Sequence, residues 1–357
     1  MKVERVHIEL TNKCNFRCEF CPQSQMTRPQ GEMDFALFVK IVNEIAKEQI
    51  TDTIMFHVMG EPLLYGLLEK AIDYAHAKKL KICLTTNGAI MSGSILKKMA
   101  QKKIDHIIFS VQTPTSDSFS IRRSHMAFET YMEQVTDAVA KILEAKNGTK
   151  VSLSFLSTPF KSHLTPDFKK NIISSKEDMA DFCFPWISSI VNKLQKSIIH
   201  EKLFKRLEGV RSELKKMDLL GWNCLKLSDE LMVETRVLGD WVRKGEIKKA
   251  IFGCCEGLTK HFGILWNGDI VFCCIDYDGE TAFGNISNTT LKESFAGKNT
   301  QRIIEGFKNF RMEHPYCQKC MGDRTVLRTI VRQLGAIFYF KVYRAWWKRK
   351  REQNRDA

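Results

Sequence analysis

The sequence predicts an α/β fold in which repeated strand–helix units build a parallel sheet that is either curled or open. Short apolar segments alternate with amphipathic segments over the first 157 residues, at spacings that suit βα crossovers. Hydrophobic residues make up 44% and charged residues 27% of the chain, a balance typical of globular proteins. No apolar run approaches the ~20 residues that a membrane-spanning helix needs.

The predicted strands and helices alternate regularly. The strand candidates are Val6–Leu10, Thr53–Val58, Lys81–Thr86, His106–Val111 and Val151–Leu156. The helix candidates are Asp34–Glu48, Gly66–His76, Ser94–Gln101 and Thr130–Ala145. A sixth strand is predicted in the segment ELMVETRVLGDW, which begins at Glu230. Polar residues gather near the carboxyl ends of the strands, where parallel sheets hold their ligands, so we expect a ligand pocket there.

The sequence after residue 157 predicts an insertion in the first domain, a small second domain and a C-terminal helix. Residues 158–229 are helix-rich and charged and are interpreted as a variable insertion within a first domain of residues 1–250. Residues 251–322 are expected to form a small domain with a helix and a β-hairpin that turns at Asn267–Gly268, since Asn-Gly between apolar runs is a strong hairpin signal. Residues 323–357 are expected to form a basic amphipathic C-terminal helix.

The first strand is followed by three cysteines, Cys14, Cys18 and Cys21, spaced C-x3-C-x2-C. Zinc would normally require a fourth Cys or His, and His7 lies on the preceding strand. Iron–sulfur ligation by cysteine is the other choice. Three cysteines on a four-iron cluster would leave one iron without a protein ligand, which is the kind of open position that catalytic metal sites retain.

A second cysteine set lies near the other end of the chain. It reads C-x12-G-x4-C…C-x2-C, with Cys255, Cys273, Cys317 and Cys320 as candidate ligands. The spacing also tolerates Cys254, one residue earlier, but Cys255 is the favoured ligand. Four thiolates would suit either a structural zinc ribbon or a fully ligated iron–sulfur cluster.

The first cysteine loop resembles the radical SAM superfamily, which carries C-x3-C-x-aromatic-C after its first strand. Phe20 occupies the aromatic position here. The segments HVMGEPLLY, TTNG, FSVQ and SFSIRRS are also similar to family motifs, although Met59 stands where the family commonly has glycine. The resemblance implies a partial (β/α)6 TIM-type barrel and six residues that bind S-adenosylmethionine (SAM). These are Phe20, Gly60, Glu61, Asn87, Ser110 and Arg122.

In that family, SAM chelates the open iron of a [4Fe–4S] cluster through its amino and carboxylate groups. Reductive cleavage then gives a 5′-deoxyadenosyl radical that abstracts a hydrogen atom from the substrate. The resemblance implies that Glu61 binds the amino group, that Arg122 binds the carboxylate, and that Ser110 faces the ribose or the methionyl group.

The second cysteine set resembles the Twitch domain, a shortened relative of the SPASM domain that holds an auxiliary [4Fe–4S] cluster. The segments WNGDIVFCC and FGNISNTTLKESF support this resemblance, and no cysteine follows Cys320. The resemblance implies four protein ligands, a cluster closed to substrate and a role in electron transfer.

The net charge of +14 is concentrated at the C-terminus. Residues 324–357 contain ten Lys or Arg against Glu352 and Asp356, which gives +8 and leaves +6 for the rest of the chain. This distribution favours an interfacial segment, with Trp346 and Trp347 beside the basic cluster, over a nucleic-acid groove. For Val326–Leu334 the alternative is a helix that packs its apolar side on the barrel and exposes its charges.

These observations predict a dehydrogenase-like radical SAM oxidoreductase that acts on a small-molecule or lipid-linked substrate, carbohydrate-like or a glycolipid precursor. A flavodoxin- or ferredoxin-type reductant is implied, and nucleic acid is not expected as a partner. The N-terminal segment has no signal-peptide pattern, and the cysteine usage suits a reducing compartment. We therefore expect a cytoplasmic protein with peripheral contact at the inner membrane surface.

Three alternatives stay open at this point. Within the enzyme class they are an epimerase, with Cys183 or Cys224 as hydrogen donor, and a peptide-modifying maturase. Outside it, a zinc- and nucleic-acid-binding protein would use the same cysteines and the basic tail.

Overall fold

The computed structural model describes residues 2–158, 172–194, 198–219, 222–237 and 246–343. Its strands are β1 (Arg5–Ile8), β2 (Thr53–Phe56), β3 (Lys81–Thr86), β4 (His106–Gln112), β5 (Lys150–Ser157), β6 (Trp222–Lys226), β7 (Leu231–Val237), β8 (His261–Ile264) and β9 (Ile270–Val271). Each predicted strand of the first 157 residues is present, with ends shifted by at most two residues. The predicted sixth strand is β7.

The described residues form eleven α-helices, four of which match the individually predicted helices with ends shifted by at most two residues. They are α1 (Phe35–Lys47), α2 (Leu68–Ala77), α3 (Gly93–Gln101), α4 (Ser116–Phe119), α5 (Phe128–Glu144), α6 (Lys176–Lys193), α7 (Ile198–Lys215), α8 (Leu291–Ala296), α9 (Lys298–Lys308), α10 (Pro315–Met321) and α11 (Val326–Ile337). Local chemistry sets their starts. Asp34, for example, caps α1 by accepting hydrogen bonds from the amides of Ala36 and Leu37.

The described strands form one sheet in the order β6-β7-β5-β4-β3-β2-β1-β8-β9. The strands from β7 to β8 in this order are all parallel, whereas β6 and β9 are antiparallel to their neighbours. The sheet does not close on itself. This arrangement confirms the predicted partial barrel.

The sheet curls strongly toward one face. Burial lowers the pKa of His57, which follows β2, and Arg236 on β7 contributes to this shift although three strands separate β7 from β2 in the sheet. Adjacent strands lie about 4.8 Å apart, so a flat sheet would hold these side chains roughly 19 Å apart. The interaction therefore requires that the two halves of the sheet turn toward each other.

Alternation along the strands separates a hydrophobic convex face from a polar concave face. Val6 and Ile8 of β1 and Phe56 of β2 lie in the main core, which the helices cover. Arg5 and His7 of β1 point to the opposite face, because successive side chains of a strand alternate. The carboxyl ends of the parallel strands and the concave face therefore bound the site described below.

The predicted hairpin is β8–β9, and it extends the main sheet. β8 pairs with β1 in parallel register, with Phe262 opposite Val6. Near the turn, a Cβ at Gly31 would lie 2.5 Å from the indole ring of Trp266, so the chain after the first cysteines packs directly on the hairpin. The hairpin is thus a structural continuation of the barrel sheet.

The C-terminal region is described as far as Tyr343. It consists of α11 and a π-helical stretch, Phe338–Tyr343. The predicted interfacial residues Trp346 and Trp347 lie outside the described residues. Among the helices that are described, none combines the length and hydropathy needed to cross a bilayer.

Candidate active site and second cysteine centre

The first cysteine loop connects β1 to a 3-10 turn at Pro22–Gln25 and lies over the carboxyl end of the sheet. Its backbone pairs with the turn that follows α4. The amide of Arg17 donates to the carbonyl of Arg122 at 3.3 Å, and the amide of Glu19 donates to Ile121 at 2.9 Å. The loop is therefore fixed against the segment that carries a predicted SAM-binding residue.

The thiols of Cys14, Cys18 and Cys21 are neighbours. Burial raises the pKa of Cys14 to about 12 and that of Cys21 to about 11. The nearby Cys18 thiol raises both pKa values further. Among the described residues, no three His, Cys, Asp or Glu side chains converge tightly enough to coordinate a single metal ion. A four-iron cubane is larger than one ion, so its ligands stand further apart.

Asn87, at the end of β3, joins the cysteine loop to the sheet. Its side-chain NH2 donates to Asn15 Oδ1 at 2.8 Å and lies 3.8 Å from the Cys14 sulfur. Its Oδ1 accepts a hydrogen bond from the amide of Ala89 at 2.9 Å. Asn87 therefore sets the position of Cys14 relative to the strand ends.

Gly60 brings the segment after β2 against the base of the cysteine loop. A Cβ at this position would lie 2.4 Å from the carbonyl oxygen of Thr11, and the φ angle is +78°. The next amide, that of Glu61, donates to the Lys13 carbonyl at 2.8 Å. A side chain at position 60 would therefore prevent this close approach of the two backbones. The approach brings Glu61 next to the cysteine loop.

The Glu61 carboxylate is buried and accepts three hydrogen bonds. Oε1 accepts from the Thr86 hydroxyl at 2.7 Å and the Leu63 amide at 3.1 Å, and Oε2 accepts from the Asn87 amide at 2.7 Å. Burial nevertheless raises the pKa of Glu61 to about 7. Oε2 retains one lone pair, so the carboxylate links β2 to β3 and can still accept one further donor.

Arg122 is buried beside the cysteine loop. Its Nη1 donates to the carbonyls of Ser110 at 2.8 Å and Val111 at 2.6 Å, while its guanidinium lies 4.8 Å from the centre of the Phe16 ring and 5.9 Å from that of Phe20. Its Nε is buried without a hydrogen-bond partner among the described residues, and the guanidinium also interacts with the Cys18 thiol. An unused guanidinium donor suits an anionic ligand group.

Two residues of this site were missed by the sequence interpretation. Asn15 receives the Asn87 hydrogen bond described above. Tyr131, on α5, donates its hydroxyl hydrogen to the Asn87 carbonyl at 2.8 Å, and its ring lies 6.0 Å from the Arg122 guanidinium. Asn15 occupies a variable position of the C-x3-C spacing, and Tyr131 stands in no motif, so only the packing of α5 on the strand ends brings Tyr131 here.

The second cysteine set converges from three segments. Cys255 precedes β8, Cys273 follows β9, and Cys317 and Cys320 lie one turn apart on α10. Cys255 and Cys320 both contribute to raising the pKa of Cys273 and of Cys317, although burial is the larger cause. These four sequence-predicted thiols are therefore brought together.

The neighbouring cysteines Cys254 and Cys274 each act on the adjacent predicted ligand but also have other partners. Cys254 interacts with Lys341, Glu256 and Lys260, and none of the other three predicted ligands contributes to its pKa shift. Cys274 interacts with Arg5 and Arg236 on the concave face of the sheet. This geometry favours Cys255 over Cys254 as the ligand, as the sequence interpretation did.

Asp276 organises the loop after Cys273. Its buried carboxylate accepts hydrogen bonds from the amides of Gly279 at 3.0 Å, Glu280 at 3.0 Å and Thr281 at 2.7 Å, and from the Thr281 hydroxyl at 2.6 Å. Tyr316 on α10 donates its hydroxyl hydrogen to the Ile275 carbonyl at 2.9 Å. The two halves of the cysteine set are thus locked to each other.

The concave face is largely polar, although Met55, Ile108 and Met232 also lie on it. It carries Arg5, His7, His57, Cys83, His106, Ser152, Ser154, Glu234, Arg236 and His261. His106 Nε2 lies 2.7 Å from Ser152 Oγ, which donates to Glu234 Oε1 at 2.8 Å. The buried Ser154 hydroxyl has no partner within the described structure. A core would be apolar here, so this face is suited to a polar ligand.

Comparison with known families follows the same division of the chain. Residues 8–157 match the radical SAM superfamily, and residues 254–321 match the iron–sulfur cluster-binding domain called SPASM. Residues 8–157 therefore form a radical SAM domain, and residues 254–321 form a SPASM/Twitch-type iron–sulfur domain. The two domains indicate SAM, a radical SAM [4Fe–4S] cluster and auxiliary iron–sulfur clusters as cofactors.

Two curated relatives show how far the similarity extends. The chain is 28% identical over 114 residues to the tungsten-containing aldehyde ferredoxin oxidoreductase cofactor-modifying protein of Pyrococcus furiosus, covering 32% of each chain. It is 26% identical over 117 residues to the SAM-dependent 2-deoxy-scyllo-inosamine dehydrogenase of Niallia circulans, covering 32% of this chain and 47% of that one. The chain thus aligns with a third to a half of these relatives.

A solved structure supports the fold. Streptococcus suis SuiB bound to S-adenosylmethionine superposes with a TM-score of 0.56 at 15% identity, covering 89% of this chain and 71% of that one. At this identity the similarity concerns the fold alone.

The residues present fit the expected groups. Three neighbouring thiols, the spare acceptor site on Glu61 and the unpaired Nε of Arg122 suit a cluster with a ligand that has both an ammonium and a carboxylate. Four neighbouring thiols suit a fully ligated second cluster.

Proposed function

We propose that this radical SAM enzyme is a dehydrogenase-like oxidoreductase that acts on a carbohydrate-like or glycolipid-precursor substrate. The single observation that supports it best is the pairing of an incomplete three-thiol centre with a complete four-thiol centre on one sheet. When bound, the first cluster and SAM together supply the radical that removes a substrate hydrogen atom. The chain's own residues would hold SAM, hold the substrate and provide an exit for the second electron of the oxidation.

The SAM-binding roles are proposals for named atoms. Glu61 Oε2 would accept a hydrogen bond from the SAM ammonium, and Arg122 Nε would donate to its carboxylate. Ser110 and the loop residue Phe20 would bound the rest of the ligand, and Gly60 would keep the loop in place. Glu61→Gln and Arg122→Lys should each weaken SAM binding in equilibrium dialysis under anaerobic conditions by about tenfold, since each loses one charge-assisted hydrogen bond.

The substrate class rests on the concave face. Hydroxyl groups of a sugar or cyclitol could pair with the unpartnered Ser154 hydroxyl and with the His106–Ser152–Glu234 chain, and Arg5 and Arg236 would favour an anionic substituent. The Niallia circulans relative is named for dehydrogenation of an amino-cyclitol, which is chemically similar. A lipid-linked sugar would offer the same hydroxyl groups.

The four-thiol centre supports oxidation over redox-neutral chemistry. We propose that its fully ligated cluster accepts the second electron, and that a flavodoxin- or ferredoxin-type protein supplies the reductant. An epimerase would instead need a hydrogen donor near the substrate. Of the two candidates, Cys183 is buried in α6, whereas Cys224 pairs with Glu234 of the concave face; Cys83 and Cys274 also lie on or beside that face.

The reaction is tested with metabolites extracted from a strain that lacks the gene, incubated anaerobically with the reconstituted protein, SAM and dithionite. The proposal predicts a consumed polyhydroxylated metabolite, a product two hydrogens lighter and one 5′-deoxyadenosine per turnover. A product of unchanged mass with deuterium gained from solvent would instead identify an epimerase. A modified peptide would identify a maturase.

Localisation is part of the proposal. We propose a cytoplasmic protein, consistent with reduced cysteines throughout the described chain, with no nucleic acid as partner. Its peripheral contact with the inner membrane surface would not depend on the proposed dehydrogenation.

A further inference from the structure

Helix α11 presents its apolar side chains to solvent. Leu327 is 72% and Val331 61% exposed, and Val326, Leu334 and Phe338 are also exposed. At 100° per residue these positions share one side of the helix. The sequence-based alternative for this segment, an apolar side packed on the barrel, is therefore wrong for the described residues, because these side chains point away from the body.

Polar residues hold α11 to the body instead. The buried Thr329 hydroxyl accepts a hydrogen bond from the Asp323 amide at 2.9 Å, and its own hydrogen is shared between the Thr325 carbonyl at 2.9 Å and the Lys248 carbonyl at 3.2 Å. One turn later, Gln333 accepts a hydrogen bond from the Phe252 amide at 3.1 Å. Buried hydrogen bonds are directional and costly to leave unmade, so they fix the rotation of the helix about its axis.

The far end of the segment is also fixed to the body. The hydroxyl of Tyr343 donates to Asp218 Oδ2 at 2.8 Å, beyond the end of α7. Rolling the helix to bury its apolar side would therefore break the contacts of Thr329, Gln333 and Tyr343 with the body.

Basic residues border the apolar side. Arg324 and Arg328 are exposed at the start of α11, and the helical repeat places Arg332 on the same edge as Arg328. Lys341 follows, with its ammonium 5.6 Å from the centre of the Phe310 ring. The sequence from residue 324 to residue 357 carries a net charge of +8.

From this geometry we propose that the exposed side of α11, with its basic edge, docks on an anionic lipid bilayer surface. Apolar side chains would enter the boundary between headgroups and acyl chains, and the arginines would meet anionic headgroups. A second copy of this chain is a poorer occupant, since it would bring another strongly cationic segment to the same place. Nucleic acid would leave the apolar centre unused.

The test uses the full-length reconstituted protein and vesicle cosedimentation. Vesicles of phosphatidylcholine with phosphatidylglycerol are compared with vesicles of phosphatidylcholine alone, at low and at high salt. We expect binding to the anionic vesicles that weakens at high salt. The double variant Leu327→Glu/Val331→Glu should bind at least about tenfold more weakly. It replaces two apolar side chains with negative charges, which the anionic lipid repels.

The matched control is Ile198→Glu on α7, which changes a side chain that is equally exposed, at 71%, on another helix. It should bind vesicles as the wild type does. SAM cleavage without vesicles should be the same in all three proteins, so a failure of the proposed reaction would be distinguished from a failure of docking.

Three results would overturn the proposal. The first is equal vesicle binding by the double variant and the wild type. The second is an absence of vesicle binding together with a dimer, seen by sedimentation velocity, that the double variant dissociates. The third is binding to oligonucleotides but not to vesicles.

Discussion

Arg28 and Glu9 form a buried two-pronged ion pair, with Nη1–Oε2 at 2.6 Å and Nη2–Oε1 at 2.5 Å. The Glu9 carboxylate also accepts hydrogen bonds from the amides of Met59 at 3.1 Å and Trp266 at 3.2 Å. Arg28 Nε donates to the Tyr277 carbonyl at 2.6 Å. One ion pair therefore joins the first strand, the segment before Gly60 and the C-terminal iron–sulfur domain.

Replacing Arg28 with alanine should lower the free energy of unfolding by about 3–5 kcal/mol, because Glu9 would be left buried without its cation. Urea titration of the reconstituted protein measures this change. The matched control is Arg211→Ala, which breaks the exposed Arg211–Asp181 pair at 2.8 Å and should cost about 1 kcal/mol or less. Equal costs would contradict the structural role given to Arg28.

Replacing Gly60 with alanine should strain the backbone at position 60 and also displace the cysteine loop, which lies against it. Gly148→Ala is the control, since its φ of +80° nearly equals the +78° of Gly60 but nothing lies within 4 Å of its Cβ. Gly148→Ala should cost about 1 kcal/mol from backbone strain alone. Gly60→Ala should cost more and also retain less iron after reconstitution. Similar iron contents in the two variants would argue against the close approach described here.

Replacing Cys255 with serine should remove the auxiliary cluster, whereas Cys254→Ser should leave it intact. The reason is that Cys255 lies with Cys273, Cys317 and Cys320, and Cys254 does not. Iron analysis and electron paramagnetic resonance of the reduced proteins measure the result. The reverse pattern would reassign the ligand to Cys254.

The neutral histidines of the concave face predict acid sensitivity. Burial, with a contribution from Arg236, lowers the pKa of His57 to about 4. Between the usual value of about 6.5 and that value, the unfolded chain binds a proton that the folded chain does not, so stability falls as the pH falls. This group alone gives a slope of about 1.4 kcal/mol per pH unit.

The variant His57→Gln isolates that contribution. Its free energy of unfolding should depend less steeply on pH between about 6.5 and 4 than that of the wild type, as measured by urea titration at several pH values. Parallel curves for the two proteins would show that His57 is protonated in the folded state.

Much of this architecture was accessible from the sequence because it is encoded locally. The alternation of strand and helix, the Asn267–Gly268 turn and the cysteine spacings are patterns within short windows. The Arg28–Glu9 ion pair could not be predicted from the sequence. Neither residue belongs to a motif, and only the tertiary structure buries Glu9 beside Arg28. The exposure of α11 was also hidden, since an amphipathic pattern does not reveal which side faces the body; Thr329 and Gln333 decide that.

The central claim is that the three-thiol centre is the reactive one and the four-thiol centre is closed. Anaerobic reconstitution of the wild type should give about eight irons per chain and 5′-deoxyadenosine upon reduction with SAM. The variant Cys14→Ala/Cys18→Ala/Cys21→Ala should keep about four irons and lose SAM cleavage entirely. Continued 5′-deoxyadenosine formation by that variant, or bound zinc without iron in the wild type, would contradict the account.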